Sequence, residues 1–163
     1  MRRAVSGVAP QYLIVKPHGK GDGTAPFVLP RGTRMYRDPQ TGEMIDARDD
    51  ATAARYNDFL EDLRVTAARE LEEEAGVPTA LFSAREPVEI GEFVYESPSG
   101  NGSYPVMWYG VNLRAGDEAK LRPAPDSAQV VWMDLATYNA HAKTGAARAG
   151  YVDIITRAEA LLS

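Results

Sequence analysis

The stretch that most constrains this chain is Arg69-Glu70-Leu71-Glu72-Glu73-Glu74-Ala75-Gly76-Val77. Helical spacing places Glu70, Glu73 and Glu74 at i, i+3 and i+4, so three carboxylates converge on one face. Like charges at i, i+4 cost a helix about 0.2–0.5 kcal/mol per pair, and this face carries no evident counter-charge of its own. Arg69 is expected to point to the neighbouring face, and one guanidinium does not neutralise the four glutamates between positions 70 and 74. A hard divalent cation would. Mg²⁺ or Mn²⁺ takes oxygen ligands and keeps waters that a phosphate can displace. Glu70, Glu73 and Glu74 are therefore the candidate metal ligands, set against the plainer reading of a solvated acidic helix. Gly76 stands where a left-handed residue would end the helix, and Pro78 cannot continue it.

The pattern extends further back. Glu61, seven residues, Arg69-Glu70, the apolar Leu71, one residue, Glu73-Glu74, one residue, Gly76 and the apolar Val77 make the string E-x7-R-E-U-x-E-E-x-G-U, where U is apolar. The string resembles the Nudix box of MutT-like pyrophosphohydrolases at every fixed position from the first glutamate onward. One position departs. The family's box opens with a glycine six residues before that glutamate, and Arg55 stands there. The nearest candidate is Gly32 in Phe27-Val28-Leu29-Pro30-Arg31-Gly32, which looks like the family's strand-ending L-P-[KR]-G. Between Gly32 and Glu61 lie 28 residues where the family has five, an insertion of 23 within residues 33–60. Such an insertion is thermodynamically mild, since closure entropy grows only logarithmically with loop length.

The resemblance implies an α/β Nudix fold, a mixed sheet between helices, over a single domain of residues 1–163. It adds the carbonyl near Gly32 to the metal ligands, reads Arg69 as orienting a box carboxylate such as Glu73, and reads Glu61 as a supporting group. Glu70 could instead deprotonate the attacking water. Arg31, Tyr95 and Trp108 are the candidate substrate-binding residues. A tyrosine at the position of Tyr95 resembles the mark of dinucleoside polyphosphate hydrolases, whereas the ADP-ribose mark, a proline, is replaced by Gly91 and Glu92. The loop after Leu113 offers Glu118 or Asp126 as a further carboxylate.

A net charge of −5 leaves no electrostatic footprint for a nucleic-acid polymer. The absence of cysteine removes disulfides, thiolate metal sites and thiol nucleophiles. No apolar run is long enough to span a membrane, so a cytoplasmic location is expected. Strands are expected at Arg3–Val8, Gln11–Lys16 and Pro26–Leu29, the second carrying the apolar core Tyr12-Leu13-Ile14-Val15. Within the insertion, Asp38-Pro39-Gln40-Thr41-Gly42 is turn chemistry for a small hairpin, and the residues from Asp50 through Leu60 favour helix. Whether that helix runs into the box helix, or ends before Asp62 caps a new one, is open. The insertion reads equally as a wall or lid beside the site and as a dimer contact or decoration. On the box helix, Leu63, Ala67, Leu71, Ala68 and Ala75 are expected to pack on a sheet. Strands follow at Val88–Tyr95, Tyr104–Leu113 and Gln129–Met133, then helices at Leu135–Lys143 and Val152–Leu162.

The expected activity is Mg²⁺-dependent hydrolysis of a nucleoside diphosphate linked to another group, a dinucleoside polyphosphate being favoured. Alternatives are a pyrophosphatase that clears damaged nucleoside triphosphates and a non-catalytic nucleotide-binding module. The partners expected are a small nucleotide and, by analogy with relatives, a second copy of the chain.

Overall fold

The apolar run Tyr12-Leu13-Ile14-Val15 is buried throughout and forms the heart of strand β2 (Gln11–Pro17). A strand apolar on both faces must be covered on both sides, and β2 is the middle strand of an antiparallel sheet between β1 (Arg2–Arg3) and β7 (Ser127–Asp134). The computed structural model describes residues 1–4, 7–18, 25–46, 57–96, 102–124 and 126–163. The remaining strands are β3 (Met35–Arg37), β4 (Met44–Asp46), β5 (Val88–Glu96) and β6 (Ser103–Gly110). The helices are α1 (Leu63–Ala75), α2 (Thr79–Ser83), α3 (Leu135–Lys143) and α4 (Val152–Leu161).

Among the described residues the strands form three antiparallel ladders, β1-β2-β7, β3-β4 and β5-β6, in place of one mixed sheet. Parallel character enters through a bridge at Arg2 and Asn112: Arg2 N donates to Val111 O and Leu113 N to Arg2 O, each at 2.9 Å. That bridge ties the continuation of β6 to β1. Phe27 and Val28 make only isolated bridges, to Ala147 and Val15, where a strand over Pro26–Leu29 was expected. The segment runs beside β2 where the two-residue β1 leaves its edge open.

The expected first strand is confined to Arg2–Arg3, and residues 5–6 lie outside the described residues. So do the glycine-rich connection at 19–24, the inserted helix over 50–56 with Arg55, and the turn at 97–101. Phe59 and Leu60, expected at the end of that helix, lie in a 3-10 turn (Asn57–Phe59) and in a bridge to Tyr36. The box helix accordingly begins afresh. Asp62 is extended, and its carboxylate accepts from Arg64 N at 2.8 Å, the geometry of an N-cap.

Helix α1 packs on β2, β6 and β7 and against α2. Its buried side is Thr66, Ala68, Leu71 and Ala75, whereas Leu63 is exposed and Ala67 half-buried. Ala68, Leu71 and Ala75 of the expected stripe are thus buried, and Thr66 joins them, its hydroxyl donating to the sequestered Glu61 carboxylate. At the other end Gly76 has φ 67°, and its N–H donates to Glu72 O while Val77 N donates to Leu71 O. These bonds satisfy carbonyls that the helix itself cannot.

The core joins β2 and α1 to Phe82 of α2, Ile90 of β5, Trp108 of β6, Tyr138 of α3 and Ile154 and Ile155 of α4. Asp117, almost fully buried, is held by two 2.6 Å bonds from Arg85 and one from Arg114 N, which pins the loop between β6 and β7. Among the described residues, no helix is long and apolar enough to cross a membrane.

Candidate active site

Glu61, immediately before the α1 cap, turns inward until its side chain is 5% exposed. A carboxylate that deep needs partners. Its own are the Thr66 hydroxyl at 2.9 Å, Met35 N at 3.4 Å and the Arg69 guanidinium, which reaches it through Nε at 3.2 Å and Nη2 at 3.1 Å. Arg69 Nη1 also bonds Glu70 at 2.7 Å and Glu73 at 3.0 Å, and Nη2 donates to Thr33 O at 2.9 Å. The acidic face therefore carries its own counter-charge, contrary to expectation: the arginine stem folds back along α1 and does not point to a neighbouring face. Burial works against the charge on Arg69, but hydrogen bonds and attraction from Glu61 and Glu70 outweigh it and raise its pKa further.

Glu74 lies one turn beyond Glu70 and accepts a hydrogen bond from Arg31 N at 2.9 Å. Burial, reinforced by repulsion from Glu70 and Asp126 and opposed by Arg31, pushes its carboxyl up to about 7. Burial likewise raises Glu70, with Glu73 and Glu61 adding and Arg69 opposing. Gly32 lies directly against Glu70: a Cβ there would stand 1.7 Å from Glu70 Cδ. Only glycine lets the backbone pass that close.

Among the described residues, no three acidic or histidine side chains converge as a ready ligand set. Arg69 draws Glu70 and Glu73 toward itself while the backbone N–H of Arg31 holds Glu74, so the trio of the sequence is divided between a guanidinium and a main-chain amide. Of the two later carboxylates, Asp126 acts electrostatically on Glu74, whereas Glu118 pairs with Arg3 at 3.1 Å.

Glu70 and Gly32 stand at the edge of a cavity of about 410 Å³, lined mainly by apolar side chains. Thr33, Arg34, Tyr36 and Leu60, all from the inserted segment, form part of its wall. Arg34 Nε donates to Glu61 O at 2.6 Å and Glu61 N to Met35 O at 2.8 Å, so the β3-β4 hairpin is fastened to the start of α1. Of the two readings of the insertion, the wall is the one this geometry favours.

The expected substrate-binding residues separate. Trp108 lines the cavity, yet it is 8% exposed and packs edge-on against Tyr151 at 5.3 Å, as a core aromatic does. Tyr95 does not line the cavity. It lies buried beneath Arg31, whose Cζ is 4.1 Å from the ring centroid and whose Nη2 donates to the hydroxyl at 2.8 Å. A second guanidinium, that of Arg148, reaches the same ring at 5.3 Å. Nothing in the sequence singles out Arg148, a lone cation among alanines and glycine between the last two helices.

No protein-family model matches the chain, and no curated protein matches it in sequence. Among solved structures, the crystal structure of a C. elegans Ap4A hydrolase binary complex is similar, with a TM-score of 0.54 over 98% of this chain and 92% of that one. The sequence identity is 12%, so the likeness is one of fold: the chain has an α/β architecture resembling that of a phosphoanhydride hydrolase.

Proposed function

We propose that this chain is a Nudix-type, Mg²⁺-dependent pyrophosphohydrolase whose substrate is a nucleoside diphosphate linked to another group, with dinucleoside polyphosphates favoured. The observation that carries the reading is the juxtaposition of Glu70 with the Gly32 backbone at the cavity, with Glu74 held by the adjacent Arg31 N–H, on a helix with the E-x7-R-E-U-x-E-E-x-G-U spacing. The Ap4A hydrolase likeness supports the reaction class in its coarse form.

The donor chemistry fits a hard dication: the groups are oxygens only, and burial and mutual repulsion make Glu70 and Glu74 costly to hold ionised without added positive charge. Glu70, Glu73, Glu74 and the Gly32 carbonyl would hold Mg²⁺, or Mn²⁺ in its place. Bound there, the ion would neutralise charge on the phosphoryl oxygens. The remaining work belongs to side chains. Arg69 orients Glu70 and Glu73 and is itself held by the buried Glu61. A carboxylate raised by burial, Glu70 or Glu74, accepts the proton of the attacking water. The water oxygen bonds to phosphorus as the phosphoanhydride P–O bond breaks, and the leaving phosphate keeps the bond's electron pair.

The test is phosphate release, coupled to a phosphatase, from dinucleoside polyphosphates, ADP-ribose, nucleotide sugars and nucleoside triphosphates with Mg²⁺ or Mn²⁺. Dinucleoside polyphosphates should be cleaved, with Glu70→Gln, Glu73→Gln and Glu74→Gln each lowering kcat about a hundredfold. Unchanged kcat in the last two variants at saturating Mg²⁺ would remove the metal assignment. A non-catalytic nucleotide-binding module is the rival that one observation favours, because Arg69 already neutralises Glu70 and Glu73. Nucleotides that raise Tm but release no phosphate would select it.

A further inference from the structure

Helix α1 carries a cavity on each flank. Leu63, Thr66, Ala67 and Glu70 face the cleft already described, whereas Arg64, Val65, Ala68 and Arg69, on the opposite side of the cylinder, line a second cavity of about 470 Å³. Phe82 of α2, 3% exposed, stands in the wall of both. The β3-β4 hairpin contributes Arg37 and Met44 to the second cavity, and α2 contributes Thr79 and Ser83.

The charge of this second cavity is one-sided. Among its described residues, the guanidinium groups of Arg37, Arg64 and Arg69 meet a single carboxylate, Glu61, in a chain whose net charge is −5. Glu61 is already committed to Arg69, which holds it through Nε and Nη2. Arg37 and Arg64 form no ion pair with a described carboxylate. Arg37 Nη1 donates to Gly42 O at 3.1 Å, and Arg64 Cζ lies 5.9 Å from the Tyr109 ring centroid. A concave surface lined by one sign of charge focuses its field and draws a counter-ion. The cavity also has an apolar side: Val65 is 53% exposed, and Met44 is half-buried.

We propose that this cavity is a second binding site, separate from the carboxylate cleft, for a phosphate monoester carried on a small apolar or aromatic body. The planar forks of Arg37 and Arg64 match phosphoryl oxygens in bidentate fashion, and the Thr79 and Ser83 hydroxyls are further donors. Arg69 adds charge but no donor, because its N–H groups are spent on Glu61, Glu70, Glu73 and Thr33 O. A phosphate monoester, with three free oxygens and more than one negative charge, uses this donor set more fully than a carboxylate does. Val65, Met44 and Phe82 cover the apolar body. The inference is independent of the proposed reaction, since the site needs neither the metal nor hydrolysis.

The probe is phenyl phosphate, titrated calorimetrically into the chelator-treated full chain beside benzoate, inorganic phosphate and phenol. Phenyl phosphate should bind most tightly of the four, and more weakly at high salt. Arg37→Gln and Arg64→Gln should each weaken it about tenfold, and Val65→Asp, which sets a carboxylate on the apolar side, should weaken it further. Lys143→Gln, which removes a charge from the exposed end of α3, and Glu74→Gln, which alters the cleft, should both leave its affinity at the parent value. Benzoate or phenol binding as tightly as phenyl phosphate overturns the assignment, as do Arg37→Gln and Arg64→Gln titrations that both match the parent. A Glu74→Gln shift as large as that of Arg64→Gln overturns it too, by moving the probe to the carboxylate cleft. The ranking of the four probes on the parent chain decides the matter even if a variant does not fold. Phosphate release is read separately: hydrolysis without phenyl phosphate binding retires this site and keeps the reaction, and the converse retires the reaction and keeps the site.

Discussion

At the residue scale, Gly32 and Arg69 separate activity from stability. A methyl at Gly32 would overlap the Glu70 carboxyl group, the mobile end of a long side chain, so Glu70 can swing aside while the fold survives. Gly32→Ala should thus lose most phosphate release while its Tm stays near that of the parent, as a paired activity assay and thermal melt would show. Arg69→Gln is expected to do the opposite kind of damage. It leaves the buried Glu61 carboxylate without its ion-pair partner and should cost about 2 kcal/mol in urea unfolding, besides lowering activity. The E-x7-R spacing links Glu61 to Arg69 in the sequence, but not the three-way sharing of Arg69 among Glu61, Glu70 and Glu73. That sharing depends on how the arginine stem folds back along α1, a rotamer choice that spacing leaves free.

At the element scale, α1 is bounded by two caps: Asp62, which the sequence left open and the structure shows, and Gly76, which the sequence announces. The second is also a packing site: a Cβ on Gly76 would lie 1.8 Å from the Arg122 carbonyl, and Arg122 N donates to Gly76 O at 2.7 Å. Left-handed φ and close backbone contact act together there, so Gly76→Ala should destabilise by about 1–3 kcal/mol in chemical denaturation. A loss of a few tenths would mean that the loop can retreat from the helix end. Helix α3 forms over Leu135–Lys143 as its pattern indicates, with Asp134 accepting from Thr137 N at 2.6 Å. The burial of Thr66, the exposure of Leu63 and the bridge in place of a Pro26–Leu29 strand were not legible, because each depends on which neighbour is present to pair or pack.

At the scale of the whole molecule, the carboxylates of the cleft couple stability to pH. Glu74 rises from an ordinary 4.5 to about 7 on folding, so the folded state holds its proton more tightly than the unfolded chain. The resulting stabilisation is complete below pH 4.5 and lost as pH climbs through about 7. Glu70 is shifted the same way. With chelator present, Tm should therefore fall between pH 5 and 8, and Glu74→Gln should flatten that fall; a flat profile in the parent would contradict the buried, charge-crowded setting of Glu74. Mg²⁺ should restore stability at the alkaline end, since a ligating carboxylate must be ionised.

The sequence by itself determined the acidic helix, its C-terminal stop at Gly76, the spacing of Glu61, Arg69, Glu70, Glu73 and Glu74, the inserted hairpin and the two closing helices. All of these rest on local periodicity, capping and turn chemistry, which act over a few residues. Only the tertiary structure decided that Gly32 lies against Glu70, that the insertion walls the cavity, that Tyr95 lies under arginines, and that Arg148 joins Arg31 there. Each of these is a meeting of segments distant in the chain, governed by burial and close packing, for which no single stretch of residues carries the signal.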